Sequence, residues 1–240
     1  MHERNCFVTL TYSDEYLPYD RSLDKRDWQL FMKRLRKRLG SVRFIACGEY
    51  GDKTRRPHWH ACFFGINFDT DRSYLTTRNG YRVYTSEVLE DCWKNGLCEI
   101  GEFTPDSASY VAGYVVKKLD GLEAQRRYTV LDDFGEEMDL EPECGLMSRD
   151  PGIGLPFFYK YYRDLFSDDC AHIKGSKAPV PHFYRNWFAD LYPEESEKLK
   201  KRRAERAEAQ AYTAQTRTAA YETLLSRRKM YRKGGDGDVL

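Results

Sequence analysis

The chain has almost no net charge, with 39 Lys and Arg against 38 Asp and Glu, so total charge names no partner. Its seven cysteines include no C-x-x-C pair, which removes the usual zinc-knuckle and redox-dithiol signals. Scattered thiols of this kind suit a reducing compartment. No run of about 18 apolar residues occurs, so no membrane helix is predicted. Nothing near the start reads as a signal peptide. A G-x-x-x-x-G-K-[ST] loop is missing too, so the chain brings no ATPase motif for unwinding. Internal repeats are absent. Together these absences predict a soluble cytoplasmic protein with no membrane contact.

What is present is unevenly placed. "KRDWQLFMKRLRKRLG" is strongly basic, "LDDFGEEMDLEPE" is acidic, and "KLKKRRAERAE" and "SRRKMYRK" are basic again. A polyanion responds to such local blocks rather than to the total. Aromatic residues make up 15%, including 18 tyrosines, a content that suits base stacking and a rich core equally.

"CFVTLTYSDEYLP" reads as a strand closed by a proline turn. "SLDKRDWQLFMKRLRKRLG" reads as an amphipathic helix, with Ser22 as N-cap, a stripe of Trp28, Phe31, Leu35 and Leu39, and Gly40 as its end. "VRFIACGEY" and "HWHACFFGI" form a hairpin through the basic loop "GDKTRRP". Residues 66–84 are polar and turn-rich. "SEVLEDCWKNG" is a short helix, "LCEIGEF" a strand and "PDSASYVAGYVVKKL" a further helix. The order β-α-β-β-α-β predicts an α+β fold: a central antiparallel sheet of the split βαβ, ferredoxin-like type with flanking helices, plus a helical C-terminal extension. Residues 1–120 are expected to form the core and 121–150 an irregular acidic insertion. Aromatic-rich elements at 151–193 are expected to pack on that core, and 194–240 to form a polar helical or partly disordered tail.

His58 and His60 in "RRPHWHACFF" share one face of their strand, with Cys62 and Phe64 continuing it. The hairpin brings Glu49 beside His58. Two imidazoles and a carboxylate could hold a divalent ion, Mn²⁺ or Mg²⁺ for work on a phosphate, although the geometry also accepts Zn²⁺. Packed core histidines are the plain alternative. A zinc site of His58, His60 and Cys62 is a poorer one, because ligands at i, i+2 and i+4 of one extended strand splay over about 13 Å.

On the helix "SYVAGYVVKKL", Val111, Ala112, Val115, Val116 and Leu119 cover one side, and Tyr110, Gly113, Tyr114, Lys117 and Lys118 the other. Tyr110 and Tyr114 are i, i+4 neighbours, so their hydroxyls could reach one place. Gly113 removes a side chain where a substrate backbone could approach. A phenol with a reference pKa of about 10 is a poor nucleophile unless a metal and a lysine assist. The alternative is an aromatic stripe under the acidic insertion.

These segments together resemble the HUH endonucleases: "HWH" resembles their histidine–hydrophobic–histidine motif and "YVAGYVVKK" their two-tyrosine motif. "CFVTLTYSDEYLP", "ACGEYGDKTRRPHWHACFFG", "YVAGYVVKK", "SRDPGIG" and "PHFYRNWF" resemble, in order, the replication initiation proteins of microviruses of the gokushovirus type. That resemblance implies rolling-circle chemistry, in which Glu49, His58 and His60 bind a divalent metal. Tyr110 and Tyr114 attack DNA in alternation through 5′-phosphotyrosine links, and Lys117 assists. Lys53, Arg55, Arg56 and Lys118 are the expected phosphate contacts, with a solvated turn as the alternative for the loop residues. The basic helix from Lys33 to Arg38 reads equally as a solvent-facing side. The implied partners are single-stranded DNA at an origin and a host helicase and polymerase, in the cytoplasm of a bacterial host. Family members often carry an upstream Cys- and Arg-rich segment, so the chain is expected to be truncated or a shortened relative. A relaxase or transposase would share the chemistry. A non-catalytic single-stranded DNA-binding module would bind without metal and form no covalent product, and a plain metal-dependent hydrolase would have no use for two tyrosines.

Overall fold

Alternation along β1 (Asn5–Tyr12) gives it two unlike faces: Val8, Leu10 and Tyr12 belong to a large aromatic core, and Phe7 to a smaller cluster across the sheet. The structure is a computed structural model describing residues 2–51, 54–116, 126–131, 134–173, 175–209 and 218–226. Two units are distinguished, residues 2–148 and 149–226.

In the first unit, β1 is followed by α1 (Lys25–Leu39), β2 (Arg43–Tyr50), β3 (Pro57–Phe64), β4 (Ser73–Arg78), β5 (Tyr81–Thr85), α2 (Glu87–Trp93), β6 (Gly96–Glu102) and α3 (Pro105–Val116). β7 (Thr129–Leu131), β8 (Glu137–Asp139) and β9 (Cys144–Met147) complete it. Seven strands form one sheet in the order β4-β5-β6-β1-β3-β2-β9, antiparallel at every pairing. The middle four, β6-β1-β3-β2, with α1 and α2 on the crossovers, are the expected α+β split βαβ arrangement. Trp28, Phe31, Met32 and Leu35 of α1 and Leu89 and Trp93 of α2 share the core on one face with Trp59 and Phe63 of β3. On the other face Val111 of α3 packs with Phe7, Cys47 and Cys62.

Several local readings are corrected. Asp24, not Ser22, caps α1, its Oδ1 accepting from Arg26 N at 2.6 Å. Ser22 is used elsewhere: its Oγ accepts from Glu141 N at 2.6 Å. Met32 takes the buried place that Leu39, 39% exposed, was expected to hold. Gly40, at φ 82°, ends the helix as its sequence predicts. The basic residues of α1 are tied down: Arg34 donates to the Cys92 and Trp93 carbonyls at 2.6 and 3.0 Å, and Arg38 pairs with Asp91 at 2.7 Å.

Residues 66–84 contain the β4–β5 hairpin, turned at Asn79 and Gly80 with φ of 48° and 84°. Positive φ at both positions is what a tight two-residue hairpin turn needs, and Asn-Gly supplies it. Within 121–150, expected to be irregular, β7 pairs with β8 and β9 adds an edge strand beside β2. Tyr128 and Leu140 are buried there, and the Tyr50 hydroxyl donates to the Glu141 carbonyl at 2.8 Å. Local charge concealed these strands, because their stability comes from long-range pairing.

The second unit contains α4 (Leu155–Ser167), a β10–β11 hairpin (Ala171–Ile173 and Ser176–Ala178), α5 (His182–Leu191), α6 (Pro193–Ala209) and helical residues 218–226. Leu155, Phe158, Leu165 and Phe166 recur at helical spacing on α4 and share a core with Val180, Phe188 and Leu199. Phe166 stacks on Phe188 at 3.9 Å between ring centroids. Among the described residues no helix is long and apolar enough to cross a membrane.

Candidate active site

The register of three adjacent strands assembles the site. β2 sets Glu49 directly opposite His58, and β1 sets Thr9 opposite His60, all on the face that α3 partly covers. Because side chains alternate, the two histidines come to one face together and their rings meet edge to face at 4.8 Å. His58 Nε2 lies 2.9 Å and His60 Nε2 2.8 Å from the same oxygen, Glu49 Oε1.

The far side of each ring is also fixed. His58 Nδ1 lies 3.0 Å from the Arg56 carbonyl and His60 Nδ1 2.9 Å from Thr9 Oγ1. Phe7 stacks against the His60 ring at 5.4 Å. Such partners orient imidazoles so that one nitrogen is presented inward. The network assigns an N–H to each Nε2, donated to the carboxylate.

Glu49 is 2% exposed. Burial works against its charge, but the hydrogen bonds from His58 and His60 outweigh that and hold its carboxyl far below the ordinary carboxylate range. Burial also opposes charge on His58, where the Glu49 carboxylate prevails and raises the pKa. For His60 burial prevails and lowers it. The resting arrangement is thus a carboxylate with one charged and one neutral imidazole.

Glu49 Oε2 is buried with no hydrogen-bond partner among the described residues. An orphaned carboxylate oxygen is costly in an apolar setting unless a cation meets it. With two inward imidazoles, it completes a ligand set whose atoms lie within 4.8 Å of one another. The residues therefore fit the divalent ion that the histidine pair implies.

α3 brings the tyrosine. Thr104 and Ser107 exchange hydrogen bonds at the helix start (Thr104 N to Ser107 Oγ 2.9 Å, Ser107 N to Thr104 Oγ1 3.1 Å), with Pro105 at the first helical position. This start points Tyr110 at the site, where its hydroxyl donates to Glu49 Oε1 at 2.6 Å. Its ring stands edge-on to His60 at 5.2 Å and to Phe7 at 6.5 Å. The helical wheel was partly misleading: Ala112, expected on the burial side, is exposed, and the sheet receives Ser107, Val111 and half-buried Tyr110. The face that turns inward is chosen by what the sheet offers, here small thiols beside a polar site.

Tyr114 lies on α3, but its side chain falls outside the described residues, as do Lys53, Lys117 and Lys118 entirely. Arg55 and Arg56 have intramolecular work. Arg55 donates to the Arg127 carbonyl and lies over the Tyr50 ring at 5.4 Å. Arg56 donates to the Tyr12 carbonyl at 2.7 Å and pairs with Asp14. Thr9 was missed by sequence reasoning, although its place in "FVTLTY", once β1 is paired with β3, puts it beside His60.

The model of the replication-associated protein ORF2 family matches residues 5–119. The replication-associated protein VP4 of Bdellovibrio phage phiMH2K is 36% identical over 225 residues, covering 88% of this chain and 67% of that protein. The replication-associated protein ORF2 of Spiroplasma virus 4 is 34% identical over 223 residues, covering 83% and 65%. The replication-associated protein ORF4 of Chlamydia phage 1 is 29% identical over 210 residues, covering 82% and 49%. The chain thus spans between about half and two thirds of the length of these relatives. No solved structure matches it.

Proposed function

We propose a reaction from one premise: the chain belongs to the replication-associated protein ORF2 family, with relatives among phage proteins. Its reaction is the nicking and rejoining of single-stranded DNA at a replication origin, as an HUH-type nuclease and strand transferase. The observation that carries this reading is the Tyr110 hydroxyl, 2.6 Å from the carboxylate oxygen on which both histidine Nε2 atoms converge. A nucleophile and a metal-ligand set then share one point.

Glu49, His58 and His60 would hold the divalent ion, Mn²⁺ or Mg²⁺, which when bound would polarise the scissile phosphate. Tyr110 Oη attacks phosphorus, its proton passing to Glu49 Oε1, which already accepts its hydrogen bond. The bond from phosphorus to the 3′-oxygen breaks, and that oxygen takes a proton to leave as a 3′-hydroxyl. The 5′-phosphate stays on the tyrosine. In the joining step a 3′-hydroxyl attacks the phosphotyrosine and the Oη–P bond breaks. Tyr114 would serve as the second nucleophile, Lys117 would stabilise developing charge, and Lys53, Arg55, Arg56 and Lys118 would meet phosphates. Gly113, at which an added Cβ would meet open space, leaves the helix face accessible to a strand. Within the host cell the freed 3′-hydroxyl would prime a host polymerase, with a host helicase opening the duplex.

The test mixes the protein with labelled origin-like and random single-stranded oligonucleotides, with Mn²⁺ or with chelator, and resolves the products on a denaturing gel. A protein–DNA band that needs metal, survives denaturation and vanishes in the Tyr110→Phe, Tyr114→Phe double variant is expected. Tight binding with no cleavage or capture under either metal would leave a binding module instead.

A further inference from the structure

We propose that Asp168, Cys170 and His172 form a second metal site, for Zn²⁺ or a similar thiolate-seeking divalent ion, in the unit that does not contain Glu49, His58 and His60. The segment reads S-D-D-C-A-H, with candidate ligands at i, i+2 and i+4. On a straight strand that spacing spreads ligands over about 13 Å. Here the chain is not straight. Asp168 is the C-terminal cap of α4, at φ −96° and ψ −4°, and Asp169 turns left-handed at φ 55° before β10 begins. The turn folds Asp168 back beside the strand, so that one ligand atom from each of the three residues lies within 4.8 Å of the others.

The turn is held open to solvent on one side and anchored on the other. Both Asp169 oxygens accept from the Arg203 guanidinium, Nε at 2.6 Å and Nη2 in a second contact, so the left-handed residue is clamped to α6. His172 is carried by β10, whose register against β11 is fixed at Ala171↔Ala178 and Ile173↔Ser176. Cys170 Sγ lies 3.9 Å from His172 Nε2. A tetrahedral zinc with Zn–S of about 2.3 Å and Zn–N of about 2.0 Å places those atoms about 3.5 Å apart. Closing that gap takes only small side-chain rotations, and Asp168 and His172 are exposed and able to make them.

The donor chemistry separates this site from the first. A thiolate, an imidazole and a carboxylate together favour Zn²⁺ over Mg²⁺ or Mn²⁺. The other six cysteines lie in the sheet unit, where burial pushes their thiols upward and away from ligation. Three protein ligands leave a fourth position to water or a further donor, and the bound ion would staple the end of α4 to β10.

The test is Co²⁺ titration of the full chain, followed by near-ultraviolet absorption, since only a thiolate ligand gives an intense charge-transfer band there. A band saturating at one equivalent is expected in the wild type and in His60→Ala. Loss of the band is expected in Cys170→Ser, and Zn²⁺ competition should show that variant and His172→Ala weakened at least tenfold at one site. Circular dichroism checks that these surface variants remain folded. The proposal is overturned if the wild type shows no thiolate band, or if the band persists in Cys170→Ser. Because the His60→Ala arm removes only the first site, neither result depends on the nicking reaction.

Discussion

His58 and His60 point their Nε2 atoms at a single oxygen of Glu49, at 2.9 and 2.8 Å, while the second oxygen of that carboxylate is buried and has no hydrogen-bond partner among the described residues. A buried ionic cluster with an unsatisfied oxygen contributes little stability by itself. Binding of an ion to the folded state alone stabilises by about 2.7 kcal/mol at a hundred times Kd. Mn²⁺ is therefore expected to raise the Tm of the wild type by about 5–10 °C. His60→Ala and Glu49→Gln should cancel that rise, and thermal melts with Mn²⁺ or chelator check it. An equal shift in either variant would place the ion elsewhere.

Thr9 touches no ion in this arrangement, yet its hydroxyl fixes the His60 ring at Nδ1 from 2.9 Å. Removing such a partner costs about 10–100-fold in metal affinity. Thr9→Val keeps the β-branched shape, so the strand should persist while Mn²⁺ affinity falls by that factor. Thr9→Ser should restore most of it. Calorimetric titration of the three proteins separates this positioning role from a packing role, which serine would not rescue.

The open half of the same sheet face offers a path for the DNA strand. Leu97 of β6 lies opposite Thr11 on the face of the histidines and is 69% exposed. On the neighbouring hairpin Tyr81 is 47% exposed beside Arg78, and Arg78 neutralises Glu99 at 2.6 Å. An aromatic ring and an apolar side chain on an uncharged surface suit stacked bases, each worth about 1–3 kcal/mol. Tyr81→Ala is thus expected to weaken single-stranded oligonucleotide binding about fivefold or more, and Leu97→Glu to do the same by repulsion. Fluorescence anisotropy in chelator reads both effects without cleavage. Unchanged affinities would exclude this half of the sheet from the path.

The parts of this site that could be read in the sequence are those fixed by strand alternation. Period two puts His58 and His60 on one face, and a hairpin through "GDKTRRP" places Glu49 across from His58, as found. The pairing partner of His60 was not legible, because β1 lies far away in sequence and only long-range register brings Thr9 to it. The rotation of α3 was misjudged for a similar reason. An apolar count puts Ala112 inward, whereas the site and the small cluster of Phe7, Cys47 and Cys62 draw in Tyr110 and Val111. The loop arginines looked available because sequence shows charge but not the backbone carbonyls that Arg55 and Arg56 satisfy.

Gly48 supports the carboxylate from behind. It precedes Glu49 on β2 but faces the opposite core, where an added Cβ would meet Trp59 ring carbons at 2.9 and 3.0 Å and Leu23 Cδ2 at 3.1 Å. Trp59 is fully buried between Trp28 and its neighbours, and the two indole centroids are 5.2 Å apart, so the ring has no room to retreat. Overpacking of this kind costs about 1–3 kcal/mol. Gly48→Ala is expected to lower unfolding stability by that amount in urea. It should also weaken Mn²⁺ binding, since a shift of β2 moves Glu49 relative to His58. Trp59→Phe in the same background removes the obstructing ring carbons and should recover part of both losses. If Gly48→Ala unfolds at the wild-type urea concentration, the strand has slack that the close approach denies, and Glu49 is not held by packing from the opposite face.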